Sequence, residues 1–263
     1  MGHFFINHFS FWEIIGILIV AIASISFMAT WVSSFFFEQP ISADHRKMAD
    51  TIISVLGGGF SLLLAFVIVN SWNFQLRIVQ SVAEEADNAA LILRHAAGLT
   101  PPGNQAITQA ITDYIIYVRT DEWKAMRVGR EGEKSEMYIG NLFTALHAYQ
   151  PQPGQDSTYY SAIMGDVTNL LKSRRDRLLG IQSVLPEQIQ TALFIAALLI
   201  IIIAGISRGE RHFYSSFPTL CFAVILGFNL GLAANLLYPF SGNFSISNHV
   251  FYEGALAKLT SSP

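Results

Sequence analysis

The chain has 263 residues, 52% of them hydrophobic and only 13% charged, about half the roughly 25% charged fraction of an ordinary soluble domain. A formal net charge of −3 leaves no basic excess to neutralise phosphates, which argues against a nucleic-acid partner. The single cysteine, Cys221, excludes an internal disulfide and any multi-cysteine metal site, and its apolar surroundings point to a buried, inert thiol.

Residues 2–11 (GHFFINHFSF) carry Phe4, Phe5, Phe9 and Phe11 with no Asp, Glu, Lys or Arg. They read either as a short helix lying in a membrane interface or as a frayed end. The first apolar run, 14–36, is long enough for a helix to cross roughly 30 Å of hydrocarbon. Its AIAS stretch at 21–24 resembles a cleavage site, but no Lys or Arg precedes the run and it continues well beyond, so it reads as a retained anchor. A second run covers 51–72, and Trp12, Trp31 and Trp72 sit near the ends of these two spans, where amphipathic rings are stable at headgroup level. Gly57, Gly58 and Gly59 lie inside the second run without the Lys and Ser/Thr of a phosphate loop, and read as close helix packing or a flexible point.

Residues 73–186 are polar and divide into four predicted helices, 74–98, 104–127, 133–149 and 157–184. Gly98 with Pro101 and Pro102, and then Pro151 and Pro153, mark the breaks between them. Two further apolar runs follow at 189–206 and 213–238, the latter with Gly227 and Gly231 at the spacing that lets helices approach closely. Pro239 ends the fourth run, Gly242 turns the chain, Phe240 and Phe244 are expected to fold back on the protein, and Ser247 or Asn248 caps a short helix through Ala257. The fold class is therefore all-α: an integral membrane protein with four transmembrane helices and a helical cytoplasmic domain inserted between helices 2 and 3. The segments are 1–72, 73–186, 187–238 and a corner with C-terminal helix at 239–263.

Four spans put both termini and the insert on one side. That side carries Arg77, Lys172, Arg174, Arg175 and Arg177 near the membrane, against Arg46, Lys47, Arg208 and Arg211 in the short loops. The slight positive excess favours a multi-pass chain with the insert and both termini in the cytoplasm, and the opposite topology would make the insert an extracytoplasmic helical sensor.

No catalytic constellation is present in this reading. The seven His are scattered, none in an HExxH pattern, so no enzyme activity, cofactor or metal is expected. The spans hold no ionisable side chain, which argues against a proton-coupled transporter. Glu84, Glu85 and Asp87 form the densest acidic group and read as a cation-binding or selectivity site, or as a solvated helix face. Arg174, Arg175 and Arg177 read as an anion or lipid contact, as complements to those acids, or as snorkelling charges.

The run SVLGGGFSLLLAFVIVNSWNFQ at 54–75, Glu85-Ala86, Trp123, the Arg174, Arg175, Arg177-Leu178 cluster, Leu185-Pro186 and Pro239-Phe240-Ser241-Gly242 together resemble a bestrophin-like bacterial membrane family. An acidic residue often precedes the Pro-Phe pair in that family, whereas Leu237 and Tyr238 stand here. The resemblance implies a homo-oligomeric ion channel, a pentamer by analogy, that passes inorganic ions through a pore lined by the second membrane helix. On that helix Gly57, Phe60, Leu64, Val67 and Ser71 share a face and are the expected pore lining, with packing as the competing use. A membrane-anchored signalling or scaffold protein without conduction is the alternative. The corner residues Pro239, Phe240 and Gly242 are expected to be structural.

Overall fold

A computed structural model describes residues 2–36, 43–206 and 213–259. Among these, every regular element is helical: α1 (Gly2–His8), α2 (Phe11–Phe36), α3 (Ala43–Ala96), α4 (Gly103–Tyr117), α5 (Trp123–Arg127), α6 (Ser135–Ala148), α7 (Gln155–Leu179), α8 (Glu187–Ile206) and α9 (Phe213–Leu236). A π-helical turn, Val118–Glu122, joins α4 to α5, and two 3₁₀ turns, His249–Tyr252 and Gly254–Lys258, stand where a short C-terminal helix was expected. Arg208 and Arg211, counted above for orientation, lie outside the described residues.

By length and composition α2, α3 and α8 can each cross a membrane, and the described apolar part of α9 is Leu220–Leu236. The start of α2 is fixed locally. Ser10 and Glu13 form a capping box in which the Ser10 amide donates to Glu13 Oε2 (2.7 Å) and the Glu13 amide to Ser10 Oγ (3.3 Å). This reciprocal pair satisfies amides that the first turn would leave open, so the helix begins at Phe11, ahead of the apolar run.

The second span does not stop where its apolar run stops. Residues 60–97 contain no Gly or Pro, so nothing breaks the backbone when the side chains change from apolar to amphipathic. The result is one 54-residue helix, about 80 Å long at 1.5 Å per residue, in place of the two helices expected. Its first half packs with α8 and α9 and its second half along α7.

Two cores follow. The first joins Ile22 of α2, Phe60 and Leu64 of α3, Leu193, Ala197 and Ile200 of α8, and Ala223 and Leu226 of α9. Close approach of α2 and α9 needs Gly227 and Gly231. A Cβ on Gly227 would lie 3.0 Å from the Ile19 backbone nitrogen and 2.7 Å from its side chain, and one on Gly231 would lie 2.7 Å from Ile15 Cγ1. Gly57, Gly58 and Gly59 have no such neighbour within the protomer. The second core belongs to the polar insert and includes Ile92, Ile107, Ile111, Ile115, Leu142, Leu146, Ile163 and Leu170. Cys221 is exposed on α9, contrary to the buried thiol expected, because its side of that helix faces away from α2 and α3.

Candidate functional site

In the insert, α3, α4, the π turn, α6 and α7 each deliver one polar side chain to a point with no solvent access. Arg177 of α7 is at the centre. Its Nε donates to Glu85 Oε2 (2.6 Å), and its Nη2 donates to Glu85 Oε1 (3.0 Å) and to Glu122 Oε2 (2.7 Å). Tyr114 donates its hydroxyl to Glu85 Oε1 at 2.5 Å, and Ser135, the first residue of α6, donates to Glu122 Oε1. The third guanidinium nitrogen, Nη1, meets the sulfur of Met126 at 2.7 Å. The side chains of Arg177, Glu85 and Glu122 are all 0% exposed.

Two carboxylates and one guanidinium leave a formal charge of −1 in a medium that penalises unpaired charge, so geometry must carry the compensation. Every carboxylate oxygen of the pair has a donor. Burial by itself would lower the Arg177 pKa, but Glu85 and Glu122 outweigh it and hold the guanidinium charged, well above its ordinary range. Burial, reinforced by the charge of Glu85, pushes the Tyr114 phenol well above the usual tyrosine range, so it stays a donor. A group closed to solvent, with all its oxygens engaged, is not arranged for acid–base turnover. It fastens four helices at one point.

Glu122 closes the π turn, and Arg119, three residues earlier, is also buried but against a different neighbour. Arg119 faces the C-terminal segment: Nε donates to the Phe251 carbonyl (2.7 Å), Nη1 to Leu259 O (3.1 Å) and Nη2 to the carbonyls of Phe251 and Leu256. Its guanidinium also lies over the Tyr252 ring, 4.5 Å from the centroid. Trp123, next in sequence, stacks under Arg177 (5.8 Å to the ring centroid) and meets Phe240 edge-on at 5.4 Å and Phe251 at 6.1 Å.

Phe240 ties this cluster to the corner after α9. A Cβ on Gly180 would lie 2.8 Å from the Phe240 ring, so α7 ends in a glycine where that ring must fit. The helix α9 stops at Leu236, and the Pro239 carbonyl accepts the Ile246 amide at 2.8 Å. Gly242 has φ +73°, in the region that glycine tolerates best, and Ile6 of α1 occupies the space a Cβ would need. The Gly242 amide donates to Asn7 Oδ1 (2.8 Å), and Ser241 Oγ donates to the Arg127 carbonyl (2.8 Å). With that proton spent, Ser241 is the acceptor in its 2.8 Å contact with His3 Nδ1, which carries the hydrogen. Gln75 of α3 donates to the Phe244 carbonyl, and the Val184 amide ahead of α8 donates to Leu237 O. One turn therefore gathers α1, α3, the end of α5 and the entry to α8. Phe244 packs edge-on against Phe11 at 5.1 Å.

The sequence-predicted residues separate into two kinds. Glu85, Arg177 and Phe240 come together through Trp123, and Glu85 complements Arg177, one of the uses expected for the arginines. Arg174 is largely buried and pairs with Glu136 (3.2 Å). Glu84, Asp87 and Arg175 stay exposed. The stripe Gly57, Phe60, Leu64, Val67 and Ser71 does share one face of α3, and that face turns inward. Phe60 and Leu64 are 7% and 3% exposed against α8 and α9, and Ser71 is fully buried. The acidic group is likewise split, since Glu85 points away from Glu84 and Asp87 and has no free oxygen. Glu122, Tyr114, Ser135, Met126 and Arg119 were missed. A signal was present for one of them: Tyr114, Val118 and Glu122 follow at four-residue spacing and share a helix face, but a charged side chain at such a position reads as solvated rather than buried. Among the described residues no three His, Cys, Asp or Glu side chains are grouped to hold a metal ion.

Membrane-length apolar helices rising from a helical domain cross-tied by a buried arginine define an all-helical membrane protein. The sequence matches the family described as the bestrophin-like domain over residues 20–251, and the chain belongs to that bestrophin-like family. Its fold is similar to the crystal structure of a mutant bacterial bestrophin homologue from Klebsiella pneumoniae, with a TM-score of 0.67 and 12% identity, over 92% of this chain and 96% of that one. No curated protein matches the chain. Four of the residues that carried the resemblance, Glu85, Trp123, Arg177 and Phe240, meet in or beside the buried cluster.

Proposed function

We propose that the protein is a homo-oligomeric ion channel in which copies of α3 surround an axis, as membership of a bestrophin-like family suggests. The observation that carries this reading is the uncovered face of α3. Val55, Leu62, Phe66 and Val69 are all more than half exposed in the protomer, and they recur at helical spacing on one side. The same side continues past the span through Asn73, Gln80, Glu84 and Asp87, all exposed or part-exposed polar residues. An apolar strip leading into a polar one, on a single unbroken helix, is what an axial pore with a dewetting constriction requires.

This reading moves the constriction from Phe60 and Leu64, which are committed to packing inside the protomer, to Leu62 and Phe66 on the outward face. Arg174 and Arg177 are held by glutamates, so they add no free positive field to the vestibule. On the α3 face the exposed acids Glu84 and Asp87 lie nearer the middle of the strip than the exposed Arg77 and Arg94 that flank them, and on that placement the channel passes cations. The insert and both chain ends share the cytoplasmic side, and five copies complete the ring by analogy.

In planar bilayers, Leu62→Ala with Phe66→Ala raises single-channel conductance several-fold, while Phe60→Ala lowers the yield of assembled protein and leaves conductance per channel unchanged. Reversal potentials in asymmetric KCl report cation preference, and Glu84→Gln with Asp87→Asn moves them toward zero. A purified monomer or closed dimer without an axial opening sinks the channel reading and supports a membrane-anchored scaffold.

A further inference from the structure

The short helix α1 has two sides of opposite character. One side is fixed to the protein: His3 on Ser241 and the Tyr238 ring (centroids 4.3 Å apart), Ile6 (4% exposed) in the space above Gly242, and Asn7 on the Arg127 carbonyl (2.7 Å) and the Gly242 amide. The other side presents Phe4, 75% exposed, with Phe5 and His8. Residues 2–12 contain no Asp, Glu, Lys or Arg. Two residues after α1 ends, the first apolar span begins, with Trp12 71% exposed. Aromatic rings continue around that level, with Phe11 in contact with Phe228 (6.3 Å) and Phe244 (5.1 Å).

We infer that α1 is an interfacial docking helix whose Phe4 and Phe5 side rests in the uncharged headgroup–acyl boundary of the bilayer, and that this contact holds the Ser241–Gly242 turn in place. The occupant is lipid because the exposed face is continuous with the lipid-length span and its ring of aromatics, the composition that amphipathic groups adopt at this depth. Recognition rests on apolar and aromatic contact and needs no anionic lipid, since the segment offers no lysine or arginine to bind one. The inference rests on the chain being a membrane protein and is independent of conduction.

Spin labels test it in the full-length protein, reconstituted in phosphatidylcholine nanodiscs on a Cys221→Ser background. A label at Phe4→Cys is expected to relax more with oxygen than with a nickel chelate, at a depth between a Val20→Cys label in the span and a Met137→Cys label on the insert. The same depth is expected when phosphatidylglycerol is added. In the Phe4→Asp, Phe5→Asp variant, amide exchange across 240–246 speeds up while that across 107–118 stays slow. A water-like Phe4 label, a depth that appears only with anionic lipid, dipolar broadening that spin dilution removes, which would mark a second copy on this face, or unchanged exchange across 240–246 would each overturn the inference.

Discussion

Arg177 shows how much a single side chain can hold. Replacing it by Met removes every charged partner of Glu85 and Glu122 while leaving both buried, and breaking such a pair from one side costs about 3–5 kcal/mol. Arg177→Met is therefore expected to lower the thermal midpoint of the insert sharply, or to abolish assembly. Arg177→Lys restores little, because a point charge cannot serve two carboxylates through a planar fork. Adding Glu85→Gln and Glu122→Gln to Arg177→Met recovers part of the loss, and a purely additive result in that cycle would show the three do not act together. His3 gives a milder, pH-dependent case. Burial, with the neighbouring chain amine, lowers its pKa from the ordinary 6.5. A depressed value means that docking of α1 is supported fully above about 6.5 and loses support as pH falls through the lowered value. A spin label at Phe5→Cys should grow more mobile as pH drops from 7.5 to 5, and His3→Gln should flatten that response.

At the level of elements, much was legible because apolar runs of span length and Gly/Pro punctuation are strong signals. The ends of α2, α6 and α8 lie within about three residues of expectation, an ordinary margin for helix termini, and the helix expected over 104–127 is divided into α4, the π turn and α5. The continuity of α3 was not legible from composition, because a change of side-chain polarity looks like a boundary even where the backbone has no reason to stop. The face of α3 was read as one stripe, Gly57 to Ser71, yet periodicity alone does not say which side of a helix meets its own protomer. The π turn was invisible for a different reason: the segment 118–122 carries no Gly or Pro or other local signal that separates a π turn from a regular helical one. The α2–α9 contact, by contrast, was readable in Gly227 and Gly231. Gly231→Val is expected to overpack against Ile15, costing about 1–3 kcal/mol, and to separate α2 from α9 in cross-linking between cysteines placed on the two helices.

Across the whole molecule, the membrane helices join the insert through the unbroken α3 and through the corner after α9, whose Phe240 meets Trp123 beside the Arg177 cluster. The candidate residues Glu85, Arg177 and Phe240 were each singled out from the sequence, and pairing of the arginines with the acids was one expected use, but the approach of Phe240 to that pair through Trp123 was not, since these residues are far apart in the chain. What the sequence lacks is the register in which long helices meet, and that register is set by packing.

The unbroken α3 makes this register a matter of phase. Each added residue turns a helix by about 100°, so the angle between Phe66 in the span and Glu85 in the insert is set by the count of residues between them. One alanine inserted between Trp72 and Asn73 would aim Glu85 away from Arg177 or swing Phe66 out of its direction, and one end must lose. Seven inserted residues return to within about 20° of the original angle. A chain that tolerates seven better than one would behave as a keyed shaft, its two ends locked in azimuth.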